Sequence, residues 1–244
     1  MHEVPREVLV ALPRLLGIDL SITNEVVLLW TAAAVTFVLL SLACRRGALV
    51  PSGFFQNFFD ALIEMIDKVV VREGIGVHAA AWSPFLVTLF FFVLFCNLLG
   101  LVPLPNYFKA VTSSLSVTAG LALLVFVLTT VLAVRRHGWA GFLKKFFPSG
   151  LPWWVAFLIV PVEIVSWLAK PLSLAIRLFA NMLVGHALIL VFVGLAAAGA
   201  WYLKALPFAG AVVMSGFEIF ISFIQAFIFT MLAGFYIREA IEDH

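Results

Sequence analysis

Residues 26–44 form an apolar run without a formal charge, long enough to cross a hydrocarbon core of about 30 Å as a helix, and the run stops at Arg45 and Arg46. A different pattern follows over 53–70. Phe54, Phe55, Phe58, Phe59, Leu62, Ile63, Ile66, Val69 and Val70 recur at helical spacing, with Gln56, Asn57, Asp60, Glu64, Asp67 and Lys68 between them. This alternation predicts an amphipathic helix lying in the membrane interface. A second crossing is expected over 79–102, ended by Pro103 and Pro105, and a third over 110–134, stopped by Arg135 and Arg136. The short proline-rich connection predicts that these two form a hairpin. A long apolar stretch over 151–203 carries Glu163, Lys170, Pro171 and Arg177, and another over 205–237 carries Glu218 and Gln225.

Length constrains the last two elements. At about 1.5 Å per residue, a helix over 205–237 would be roughly 50 Å long, well beyond the hydrocarbon core. Both it and the segment after Pro171 are therefore expected to be long, steeply inclined helices that could cradle a curved partner. The expected fold class is all-α: a polytopic integral membrane protein with about five crossings and one interfacial helix, forming a single membrane domain over 1–244.

Composition agrees with this reading, since of 244 residues 64% are hydrophobic and only 11% charged, with a mean hydropathy of +1.15. The net charge of +2 says less than its distribution. Arg45, Arg46, Lys68 and Arg72 lie in one connection, Arg135, Arg136, Lys144 and Lys145 in another, and only Lys109 lies between the second and third crossings. The positive-inside rule puts the two rich connections in the cytoplasm, the N-terminus outside and the C-terminus inside. The N-terminal MHEVPREVLVALPRLLG has scattered charges and no apolar core before a cleavage site, so no signal peptide is expected. Cys44 and Cys96 have neither disulfide-framework nor metal-ligand spacing and read as packing residues.

The candidate chemistry lies in the few polar groups of the apolar helices. Arg177 is the only formal charge between Pro171 and Leu203, and a guanidinium cannot discharge itself by losing a proton. Placing one at membrane depth costs about 2.5 to 3.5 kcal/mol on insertion scales, which points to an ion pathway or a partner carboxylate. Ser173, Arg177, Asn181 and Gly185 follow at four-residue steps and share a drifting stripe, while His186 lies about 180° from Arg177. Ser215, Glu218, Ser222 and Gln225 share a face of the last helix, and Glu163, Ser166 and Lys170 align upstream. Such stripes suit proton or cation transfer in general. Glu218 and His186 also admit a plainer reading as interhelical hydrogen-bonding or packed polar groups, Arg177 as a snorkelling or paired charge, and Glu163 as a capping or interfacial acid. Ser215 and Ser222 read as backbone-bonded helix serines. His78, His137 and His244 are placed in loops or the tail without a role.

SLAIRLFANMLVGH, taken with FEIFISFIQAFIFTMLAGFYI, resembles subunit a of the rotary F-type ATP synthases, the membrane stator facing the ring of c subunits. The resemblance extends to NLLGLVPLP after the second crossing and to the KPLSL that leads into the arginine helix. It implies that Arg177 is the stator arginine, whose fixed charge favours the deprotonated form of each passing c-subunit carboxylate and blocks direct proton passage between two offset half-channels. It implies further that Glu218, His186 and Gln225 belong to the outer half-channel, and Glu163, Ser173 and Asn181 to the cytoplasmic one. Some relatives place an acid three residues after the Asn that closes the second crossing; here that residue is Gly100, so no proton-carrying role is assigned to the turn. The implied partners are the c ring, the peripheral-stalk b subunits, membrane lipid and, indirectly, the soluble ATPase head, in a bacterial cytoplasmic membrane.

No cofactor, metal or nucleic acid is expected, and the absence of a GxxxxGK[ST] phosphate loop argues against ATP chemistry by this chain. Two other classes remain open. A secondary ion transporter would show repeat halves and work in isolation; a scaffold would tolerate neutral substitution of Arg177 and Glu218 together.

Overall fold

Apolar segments at membrane depth must satisfy every backbone polar group internally, which leaves the helix as the local solution for these runs. The computed structural model describes residues 8–10, 21–45, 53–76, 79–101, 112, 114–144, 146–147, 153–198 and 204–242. Five helices in it are long and apolar enough to cross a membrane: α1 (Asn24–Arg45), α4 (Ala79–Leu101), α5 (Leu115–Lys144), α6 (Trp153–Ala198) and α7 (Ala205–Ile241). Between α1 and α4 lie α2 (Phe54–Met65), a π-helical segment Ile66–Arg72 and the single turn α3 (Glu73–Ile75). The expected all-α membrane architecture holds. Among the described residues the only extended pairing is a minimal antiparallel ribbon, β1 (Val8–Val10) with β2 (Ile22–Thr23), that leads into α1.

α4 is the hub. More than half of its membrane window is buried (56%), against 11% for α1 and for α6, because it packs on α1, α7 and the π-helical segment at once. Phe90, Phe91 and Leu86 are fully buried there, with Phe91 stacked on Phe59 at 5.7 Å and Phe90 edge-on to Phe223 at 5.6 Å. α7 meets this core through Ala226, Phe229, Ala233 and Ile237, small and large residues in turn, which lets the helices approach closely. A second cluster brings Phe126, Phe142 and Phe146 around Trp167, joining α5 to α6.

Several element boundaries differ from those expected. The interfacial helix over 53–70 is α2 followed by the π-helical segment, whose wider turn puts Ile66, Val70 and Val71 into the core. Asp67, expected on the polar side, instead turns inward and accepts hydrogen bonds from Ser83 Oγ of α4 (2.5 Å) and Arg72 Nε (2.8 Å). The third helix begins at Leu115 and continues past Arg135 and Arg136 to Lys144, bending at Gly138, where φ is 70° and only glycine is comfortable. The charge pair thus falls within the last turn before this break, and His137 is a helical residue. α6 passes through Pro161 and Pro171 as one helix of 46 residues, and α7 runs past Ile237 to Ile241. The Pro103–Pro105 connection, His78 and His244 lie outside the described residues.

Candidate functional site

α6 and α7 run side by side in opposite directions, so polar residues spaced along one meet those along the other in reverse order. The stripes expected from sequence form a seam of three cross-links. At the end nearest the α6 C-terminus, Glu218 of α7, 1% exposed, lies over Gly185 of α6. A Cβ at Gly185 would stand 2.6 Å from Glu218 Oε1, so the carboxyl occupies the space that a side chain would otherwise take. His186 Nε2 stands 3.8 Å from the same oxygen, within ion-pair reach but too far for a hydrogen bond.

Asn181 and Gln225 make the middle link, Nδ2 donating to Oε1 at 2.7 Å. The third link is Lys170 Nζ with Glu239, at 2.7 and 2.6 Å from the two carboxylate oxygens, with the Tyr236 ring 5.5 Å away. Arg177 falls between the second and third links. It is exposed, and among the described residues no hydrogen bond or ion pair engages it; its charge acts on Tyr236 across the seam. Ser173 is exposed one turn before Arg177, and Glu163 is half-buried fourteen residues before it. Glu218 is thus brought to His186 and Asn181 to Gln225, whereas Arg177, Ser173 and Glu163 lie along α6 without joining either pair.

Near Glu218 lie several buried polar atoms that make no hydrogen bond among the described residues: both its oxygens, His186 Nε2, Ser222 Oγ, Gln225 Nε2 and Asn97 Oδ1. They come from α4, α6 and α7, and Asn97 Nδ2 also donates to the Ser222 carbonyl at 3.4 Å. A polar group buried without a partner costs about 1–3 kcal/mol, so a cluster of them in an apolar protein has hydrogen-bonding capacity suited to water or a moving proton. Ser215 donates to the Ala211 carbonyl as expected of a helix serine, but Ser222 does not: its hydroxyl belongs to this cluster. Asn97, inside α4, is a further residue that the sequence left without a role. The signal was present as a polar residue in an apolar helix, isolated for Asn97 and part of the Ser215–Gln225 stripe for Ser222, and the partner helix was what sequence could not supply.

The family model for the ATP synthase A chain matches residues 26–238. The ATP synthase subunit a of Magnetococcus marinus is 43% identical over 231 residues, covering 93% of this chain and 87% of the relative. That of Paramagnetospirillum magneticum is 39% identical over 231 residues (93% and 92%), and that of Granulibacter bethesdensis 40% identical over 229 (91% and 88%).

Proposed function

The chain belongs to the ATP synthase A chain family, and we propose from that premise how its α6–α7 seam moves protons. It is an integral membrane protein and a non-catalytic, proton-translocating stator subunit of an F-type ATP synthase. Two half-channels meet at the seam. The outer one runs through Asn97, Ser222, His186 and Glu218 towards Gln225, and the cytoplasmic one passes Glu163, Ser173 and Asn181. Arg177 separates them and faces the carboxylates of a c-subunit ring, while peripheral-stalk b subunits hold the chain still against rotation. The N-terminus is outside and the C-terminus cytoplasmic.

The observation that carries this reading is the placement of Arg177, exposed and without an acidic partner among the described residues, between a buried polar cluster and an internally paired lysine. Opposite a carboxylate at about 4 Å, a fixed cation stabilises the charged form by about 4 kcal/mol at an effective dielectric of 20. A rotor acid is thereby held deprotonated as it passes and can be reprotonated only from the next half-channel. The membrane potential contributes about 2.3 kcal/mol per charge per 100 mV to this exchange.

The test is ATP-driven proton pumping and passive leak in vesicles carrying Arg177→Ala in an assembled complex. Loss of pumping is expected, and a raised leak shows that Arg177 also separates the half-channels. Normal coupled pumping overturns the reading.

A further inference from the structure

Lys170 precedes Arg177 by seven residues, which puts the two cations on nearly the same face of α6, about 10 Å apart along the axis. A rotor carboxylate meeting that face would find two competing positive charges if both were unpaired. Only Arg177 is. Lys170 is engaged by both oxygens of Glu239 from α7, and its ammonium lies beside the Tyr236 ring. Lys170 and Glu239 remain 29% and 33% exposed, and both line a cavity of about 30 Å³ between α5, α6 and α7 that has room for a water or two.

We propose that Glu239 is the internal counter-ion of Lys170, a positioning residue that leaves Arg177 as the single unpaired cation on the rotor-facing side of α6. The proposal rests on the stator reading above. Its consequence is directional: removing the acid exposes a second cation about two turns on the cytoplasmic side of Arg177, where a carboxylate leaving Arg177 would be retained. A unit charge about 10 Å away at an effective dielectric of about 20 changes such an equilibrium by about tenfold.

Pumping by assembled complexes is compared for Glu239→Gln, Glu239→Asp, Lys170→Gln/Glu239→Gln and Arg177→Ala in the same vesicle preparation. Expected are a fall of about tenfold for Glu239→Gln, near-normal pumping for Glu239→Asp, and recovery in the neutral double variant. That recovery separates charge from adhesion, because the double variant has no ion pair to tie α6 to α7. If the double variant stays as defective as Glu239→Gln, or if neither assembles, the pair is structural glue and the proposal fails. Assembly of the double variant alone supports it. If Arg177→Ala abolishes pumping while Glu239→Gln pumps normally, the counter-ion role falls and the stator reading stands; if Arg177→Ala pumps normally, the stator reading itself falls.

Discussion

Gly185→Ala perturbs the seam by a single methyl group at the point where α6 carries no side chain and α7 carries its buried acid. The added Cβ would stand 2.6 Å from Glu218 Oε1, 2.8 Å from Cδ and 3.1 Å from Cγ. Ordinary contact requires the carboxyl to retreat by roughly 1 Å. Glu218 is 1% exposed, so the retreat is into occupied space and changes its 3.8 Å relation to His186. Overpacking of this kind costs about 1–3 kcal/mol, and replacing a mid-helix glycine returns about 1 kcal/mol. The net loss of about 0–2 kcal/mol leaves an assembled complex. Misplacement of a reacting group by about 1 Å, by contrast, lowers rates by up to about 100-fold.

The assay is ATP-driven pumping in vesicles, normalised to assembled complex, with Gly194→Ala as control. Gly194 lies on the same helix, and a Cβ there meets nothing within 4 Å. Gly194→Ala should pump normally, while Gly185→Ala should lose between about tenfold and 100-fold. Equal pumping by the two would show that the place of the Glu218 carboxyl over Gly185 is immaterial to proton transfer, and would remove Glu218 from the path.

The Asn181–Gln225 link and the Asp67 contact give two further tests. Asn181→Leu leaves the buried Gln225 amide without its partner and should cost about 1–3 kcal/mol of stability, Gln225→Leu leaves only the exposed Asn181 amide and should cost less, and the double variant should recover a good part of the larger loss. Thermal melting of the detergent-solubilised complex reads both, and additive losses would mean that the 2.7 Å contact contributes nothing. The Ser83 hydroxyl, with Arg72 assisting and burial opposing, holds the Asp67 carboxyl below its ordinary value of 3.8. Its docking contribution is therefore fully present above about pH 3.8 and lost as pH falls through the lowered folded value. Amide-exchange protection of Ile66–Arg72 should persist on acidification to pH 4 and weaken below it, and Ser83→Ala should move that loss to higher pH. Protection unaffected by Ser83→Ala would refute the assignment.

What sequence could read was whatever depends on one helix at a time. Five apolar spans, the excess length of the last two and the polar faces all follow from spacing along a single element. Arg135 and Arg136 lie just before the break at Gly138, so the charge pair and the glycine together announce the end of this span. The π-helical turn at Asp67 depends on Ser83 and on the buried surfaces of α4 and α7, so no local pattern announces it. The site divides in the same way. Arg177 and Glu218 stand out as lone charges in apolar runs, whereas Asn97, Ser222 and Glu239 acquire meaning only from a neighbour on another helix.

The small burial of α6 then bears on what lies opposite it. Leu172, Ile176 and Val184, spread around α6 near Arg177, are about half exposed or more, so much of the apolar surface of this helix is left uncovered by the described residues. Lipid would satisfy those side chains but not the guanidinium, whose transfer to hydrocarbon costs about 2.5 to 3.5 kcal/mol and which has no acid within reach among the described residues. The acids nearest along the seam are already committed, Glu239 to Lys170 and Glu218 to the enclosure over Gly185. An apolar surface that presents one carboxylate at the level of Arg177 satisfies both requirements at once. No described residue supplies such a carboxylate, and the proposed rotor acid would meet both requirements from another subunit and, unlike a fixed ion pair, would leave as the ring turns.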